Sequence, residues 1–367
     1  MHNHLARLLL FVFLISLFAG CAAKDPTPRF VWPPPPEQPR MEWKGVFYSD
    51  YSLKAADGES ALAKFIGAAD QVIMSTPFGI AADGQGKVYV SDIHKKNVWV
   101  FNFIHKTVEL LSKNSAMQSP AGVALDNKGH IYVADTGRGA VWVYDLAGKA
   151  LRVIGDKEIE KPAYVTFDAA TERLFVSDGK NHKIHIFDVQ GNLIKTFGEG
   201  GNGPDQLFAP QGMAIGPDGN LYIADMFNAR VQIFDTSGKH LRSFGERGDQ
   251  VGQFENPKDL AFDSDGNLHI IDGRNSNLMT FTPKGQLLLV TGTGSSTVSE
   301  FGFGTPRSIF IDANDRIYIA EALGKRFAIW QYMSKTYLQT HPYTQADRQR
   351  LEAYIEKRRQ EQEAAAQ

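Results

Sequence analysis

Pro210-Gln211-Gly212-Met213-Ala214-Ile215-Gly216-Pro217-Asp218-Gly219-Asn220-Leu221-Tyr222-Ile223-Ala224-Asp225 is the stretch that decides the fold. Gln211–Ile215 reads as a short strand, and Pro217 to Asn220 as a turn built from the residues turns demand. Leu221–Asp225 follows as a second strand, rich in apolar and aromatic residues of high β-propensity. Val231–Asp235 reads as a third strand, Thr236 to Lys239 as another turn, and His240–Phe244 as a fourth. Four short antiparallel strands in one such unit describe a propeller blade, not a pair of solenoid helices.

Working outward, the unit repeats. Proline recurs at Pro77, Pro120, Pro162, Pro210, Pro257 and Pro306, and an acidic residue at Asp92, Asp135, Asp178, Asp225, Asp272 and Glu321. The spacing between the two is fifteen positions, sixteen in the third unit. Six residues after the proline stands a further aspartate, at Asp83, Asp126, Asp168, Asp263 and Asp312, with Gly216 the exception. The six units predict an all-β, six-bladed β-propeller of four-stranded antiparallel blades, with a short C-terminal helix. A ring of blades leaves only short, protected sheet edges.

Three stretches carry a family resemblance. They are Pro210-Gln211-Gly212-Met213-Ala214, Leu221-Tyr222-Ile223-Ala224-Asp225 and Asn228-Ala229-Arg230-Val231-Gln232-Ile233-Phe234-Asp235. Together they resemble the full NHL repeat, and the second unit is close to it through Pro120-Ala121-Gly122-Val123-Ala124 and Ile131-Tyr132-Val133-Ala134-Asp135. The other units are more worn. No unit ends a strand in Trp-Asp, which disfavours WD40. The resemblance covers residues 76–341 and speaks to fold, hardly to activity. It implies one competing function, because some six-bladed relatives are metal-dependent lyases or lactonases whose ligands converge on the central channel.

The N-terminus reads as an address. Leu8 to Phe18 is almost wholly apolar, too short to span a bilayer of about 30 Å and of the length of a signal-peptide core. It ends in Leu17-Phe18-Ala19-Gly20-Cys21, which resembles the bacterial lipobox. That resemblance implies cleavage before Cys21 and acylation, palmitate included, of the single cysteine of the chain. Residue two of the mature chain is Ala22 in place of the aspartate that retains lipoproteins at the inner membrane, which points to the outer membrane. The expected organisation is a signal peptide over 1–20, a proline-rich tether over 21–41, the propeller over 42–341, and a charged helix and tail over 342–367. Seven prolines between Pro26 and Pro39 favour extended polyproline II, with docking of Phe30, Val31 and Trp32 on the domain as the alternative. Met41–Asp50 reads as an extra strand that either closes the ring on the last blade or lies at its edge.

Candidate sites sit in loops. The loop after the second strand of each blade carries Lys95, Lys96, Arg138, Lys180, Lys183, Arg230, Arg274, Lys325 or Arg326. Equivalent loops share one face, so these cations predict either a basic ring for an anionic ligand or local locks on the preceding acids, such as Arg230 on Asp225. Long loops enter blades four, five and six at Gly198–Gly203, Gly245–Gln250 and Thr291–Gly304. Asp263-Ser264-Asp265-Gly266-Asn267 resembles the start of a calcium loop but reads as a hairpin turn. His269 stands where other units have tyrosine, so it reads as a substituted core aromatic. Inner strands read as Ala, Gly, Ile and Val on the channel side, and no serine sits in a strained strand-to-helix turn.

These readings converge on a non-catalytic envelope lipoprotein with no cofactor and no metal. The expected partners are a membrane through Cys21 and an envelope protein or exported ligand at the loop-bearing face. A formal net charge of −2 gives no reason to expect nucleic acid. The competing expectation is a channel-centred, metal-dependent lyase or lactonase.

Overall fold

The computed structural model describes residues 28–55, 72–292 and 302–365. Cys21 and the apolar segment before it lie outside the described residues. The chain divides into two compact units, one spanning Val31–Pro342 and the other formed by residues up to Phe30 together with Tyr343 onward.

Every blade starts from the same local chemistry. The aspartate six residues after the proline folds the first hairpin: Asp83 Oδ1 accepts from the Gln85 and Lys87 amides at 2.8 and 2.9 Å. Asp126 and Asp312 do the same for their own turns. Residues with positive φ, such as Gly129 and Gly266, complete these turns. The aromatic of the second strand then reaches back, with Tyr132 and Tyr318 hydroxyls donating to Asp126 and Asp312. In the unit that breaks the pattern at Gly216, Asp218 takes over and accepts from Tyr222. His269 occupies the tyrosine position, fully buried between Asp263 and Thr280, as its place in the repeat predicts.

The result is six antiparallel sheets arranged as a propeller. Blades one to five are Pro77–Leu110, Pro120–Ile154, Pro162–Phe197, Pro210–Phe244 and Pro257–Thr291, each with four strands in chain order. The first strands neighbour one another in a closed circle around the axis. Between blades lie apolar clusters such as Tyr222, Val231, Ile233, Phe254, Leu260 and Ile270. Inter-blade hydrogen bonds join the inner ring: Ser91 Oγ to Ala121 O, Thr136 Oγ1 to Pro162 O, and Thr166 Oγ1 to Met213 O.

Blade six departs from the sequence expectation of four strands of its own. It supplies three, Pro306–Ile311, Arg316–Glu321 and Arg326–Tyr332. The strand β2, Met41–Phe47, adds the fourth by pairing antiparallel along Arg326–Tyr332, from Met41 opposite Tyr332 to Phe47 opposite Phe327. A register shift between Trp43 and Gly45 breaks the expected strict alternation. The two-residue strand β1, Val31–Trp32, adds a fifth, and Trp32 Nε1 donates to Val290 O of blade five at 2.7 Å. The described tether from Val31 therefore docks on the propeller instead of standing as a stalk. Two short helices flank the ring, α1 at Asp50–Ala55 and α2 at Lys335–Thr340.

In the second unit, α3 (Gln345–Ala365) begins with a reciprocal cap between Thr344 and Asp347. Arg29 lies 3.9 Å from Asp347, and the Phe30 ring packs edge-on to Tyr354 at 5.2 Å. Among the described residues no helix is long and apolar enough to cross a membrane.

Candidate functional site on the loop-bearing face

Each blade pairs its proline with its late acidic residue, Pro77 opposite Asp92 through Pro306 opposite Glu321. The loops that follow the second strands and those that enter each blade therefore emerge on one face. The six acidic residues are all 0% exposed. Their carboxylates bind backbone: Asp92 accepts from the Ser75, Thr76, His94 and Lys95 amides, and Asp272 from those of Glu255, Asn256, Arg274 and Asn275. Trp99 and Trp142 add indole donors to Asp92 and Asp135. Burial pushes the Asp178 carboxyl up, but the His185 ring 3.7 Å away and bonds from Asn181 and backbone amides outweigh it and hold the pKa well below the usual range. These residues tie entering loop to leaving loop.

The predicted basic residues divide into two sets. Arg230 donates through Nε to Asp225 at 2.9 Å and through Nη2 to the carbonyls of Gly203 and Gln206, and Arg326 pairs with Glu321 at 3.1 Å. Lys180 pairs with Glu160 and Arg274 with Glu255, while Arg138 stacks over Trp142 at 4.7 Å. Lys95, Lys96, Lys183 and Lys325 make no ion pair among the described residues, and all four are exposed or nearly so. The entering loops of blades four and five share one design. Gln206 accepts from Gly203 N and donates to Glu199, and Gln253 accepts from Gln250 N and donates to Glu246. Leu207 and Phe254, both 0% exposed, anchor these loops to the core.

At the centre of this face lie residues that the sequence reading missed. A β-bulge follows the proline in all six first strands, for example between Pro210 and Met213, and re-aims the next residue. That position holds Phe78, Ala121, Ala163, Gln211, Lys258 and Arg307. Three of the six are polar, Gln211, Lys258 and Arg307 on blades four to six, where the inner strands were expected to read as Ala, Gly, Ile and Val. Tyr164, one residue further along blade three, crosses the axis and donates its hydroxyl to Arg307 O of the opposite blade. The Phe78 and Tyr164 rings lie 5.5 Å apart, and the Arg307 guanidinium sits 5.9 Å over Phe78. Tyrosine and phenylalanine so close the channel beneath the mouth.

The two cations of the mouth are half-buried and have no carboxylate partner among the described residues. Lys258 Nζ lies 3.1 Å from Met226 Sδ, and its stem rests against Gly273. Burial, then the charge of Arg307, push its pKa down to about 8, against a smaller opposing pull from Asp272. The inner-ring carboxylate Asp259 is buried and engaged by its own blade and the next. It accepts from Ser308 Oγ at 2.7 Å, Ile309 N at 3.0 Å and Leu260 N at 2.9 Å. Burial nevertheless raises its pKa to about 7. A divalent metal at this mouth would meet an ammonium, a guanidinium, an amide and a phenyl ring, a donor set that does not fit it.

The opposite face carries a cleft of about 870 Å³ between β2, α2 and the hairpins of blades one and six, with Lys87, Phe103, Arg316 and Tyr337 in its walls.

A sequence profile of the SMP-30/gluconolactonase/LRE-like region matches residues 57–177. No curated protein sequence matches the chain. Among solved structures, a protein of unknown function from Bacteroides thetaiotaomicron is 21% identical, with TM-score 0.60 and 70% of each chain covered. Virginiamycin B lyase from Staphylococcus aureus is 12% identical, with TM-score 0.55, covering 70% of this chain and 95% of that one. A gluconolactonase from Xanthomonas campestris is 18% identical, with TM-score 0.55, covering 71% and 86%. At these identities the likeness establishes the six-bladed propeller fold.

Proposed function

We propose that the protein is a recognition module of the bacterial envelope, built on NHL-type repeats and anchored through an acylated Cys21, most simply in the outer membrane. It receives an envelope protein or exported ligand on its loop-bearing face and performs no reaction of its own. One observation carries this reading: the axial mouth presents Lys258 and Arg307 over a floor of Phe78 and Tyr164, a surface suited to holding an anion. The preorganised Gln206 and Gln253 loops and the unpaired Lys95, Lys96, Lys183 and Lys325 surround it.

A second reading is a channel-centred lyase or lactonase. The profile match over 57–177 and the likeness to virginiamycin B lyase and to a gluconolactonase favour it. One experiment separates the two. Metal analysis and thermal melting, with and without chelator, should give no stoichiometric metal and an unchanged Tm. One bound zinc, calcium or magnesium per chain, with a fall in Tm on chelation, selects the enzyme. For the binding reading, crosslinked capture from envelopes should recover a partner that is lost when Lys95, Lys96, Lys183 and Lys325 are all changed to Glu.

A further inference from the structure

We propose that the axial mouth is a seat for a small organic dianion, with a phosphate monoester on a flat apolar body as the best match. The inference rests on the loop-bearing face being a binding surface, and it names what that surface takes.

Charge comes first. Lys258 and Arg307 hold equivalent positions on the first strands of the neighbouring blades five and six, and both are half-buried. The closest acid to Lys258, Asp272, is saturated by four backbone amides. Its neighbours Arg274 and Glu255 pair with each other. Asp259 is buried and already engaged by Ser308 and Ile309. Two half-buried cations with no carboxylate partner among the described residues are costly to hold, and a bound dianion removes that cost. A guanidinium fork beside an ammonium point charge suits the oxygens of a phosphoryl group.

Shape comes second. Phe78 lies between Arg307 and Tyr164, so the floor below the charged pair is aromatic. At the equivalent position of blade three stands Ala163, short and part-exposed, so no long side chain covers that side. The hydrogen bond from Tyr164 to Arg307 O spans the axis, so a ligand enters from the loop face and stops there. Gln211, whose amide donates to Ala209 O and Pro210 O, offers its carbonyl oxygen to a hydroxyl at the remaining edge. The seat accordingly takes an anionic head at blades five and six and a flat apolar body towards blades one to three.

The test is calorimetric titration of the full chain with phenyl phosphate, with inorganic phosphate and phenol as its two halves. Phenyl phosphate should bind one to one and more tightly than either half. Lys258→Met and Arg307→Met should each weaken it at least about ten-fold, while Lys149→Met, in the exposed hairpin between the last two strands of blade two, leaves it unchanged. Arg307→Met keeps the backbone carbonyl that receives Tyr164. Independently of any variant, phenyl phosphate should protect Lys258 of the wild-type chain from reductive methylation while Lys95 is still modified. Failure to bind at millimolar concentration, equal binding by both Met variants, or methylation of Lys258 unchanged by ligand overturns the inference. An envelope partner captured by a chain that binds no phosphate ester overturns this inference alone, whereas a stoichiometric metal overturns the binding reading beneath it.

Discussion

Asp272 and Asp145 show how differently one residue type is used in this ring. Asp272 is fully buried and accepts four backbone amides, whereas Asp145 accepts the Ala147 and Lys149 amides at the surface. Asp272→Ala leaves several buried donors unsatisfied and should cost about 3–5 kcal/mol in urea unfolding, against about 1 kcal/mol or less for Asp145→Ala. Asp259 makes a different prediction. Its folded pKa of about 7 lies above the unfolded carboxylate value, so the folded state holds the extra proton. The stability from that proton is complete below about pH 4 and lost as pH rises through about 7. Asp259→Asn should flatten the decline between these values in a series of urea melts, and an unchanged slope would refute the assignment. The late acids were legible because their spacing repeats. Lys258 and Arg307 were not, because the position after each proline changes chemistry from blade to blade. A varied position inside a constant frame was the available signal, and only the bulge shows that it faces the axis.

Among the elements, β2 has the largest consequence for its size. Its Phe47 is 4% exposed and packs on Phe327 at 5.3 Å and Phe103 at 4.9 Å, joining the closing strand to blades six and one. Phe47→Ala should cost about 3–5 kcal/mol in chemical denaturation. Phe227→Ala, at an exposed loop position, should stay within about 0.5 kcal/mol of wild type. The sequence left open whether Met41–Asp50 closes the ring or lies at its edge, because alternation alone does not choose a partner. Blade six settles it by supplying only three strands. The proline run was legible as extended chain, but its docking depends on Trp32 finding Val290 O, a tertiary contact without sequence periodicity.

For the molecule as a whole, the sequence repeat dictates a rigid disc and says little about what the disc holds, because the same fold serves lyases, lactonases and binding proteins. Placement in the cell belongs to this scale as well. If Cys21 carries the anchor, Cys21→Ala should abolish palmitate labelling and move the protein from the detergent phase to the aqueous phase, with its melting curve unchanged. Persistence in the detergent phase without label would point to another means of attachment. A further check compares the two faces: substitutions at Lys87 and Arg316 in the opposite cleft should leave phenyl phosphate binding unaltered.

The closing strand also imposes an order in time. Phe47 is synthesised near the start of the chain and Phe327 near its end, yet the two share one sheet. Throughout translation β2 waits with its edge unsatisfied, and no partial product, however many blades it contains, can complete the circle. A ribosome that stops anywhere before Arg326 releases a chain with an open seam at both ends. Such fragments should be sensitive to proteolysis in a way the finished ring is not, so that completion of synthesis is itself registered in the fold.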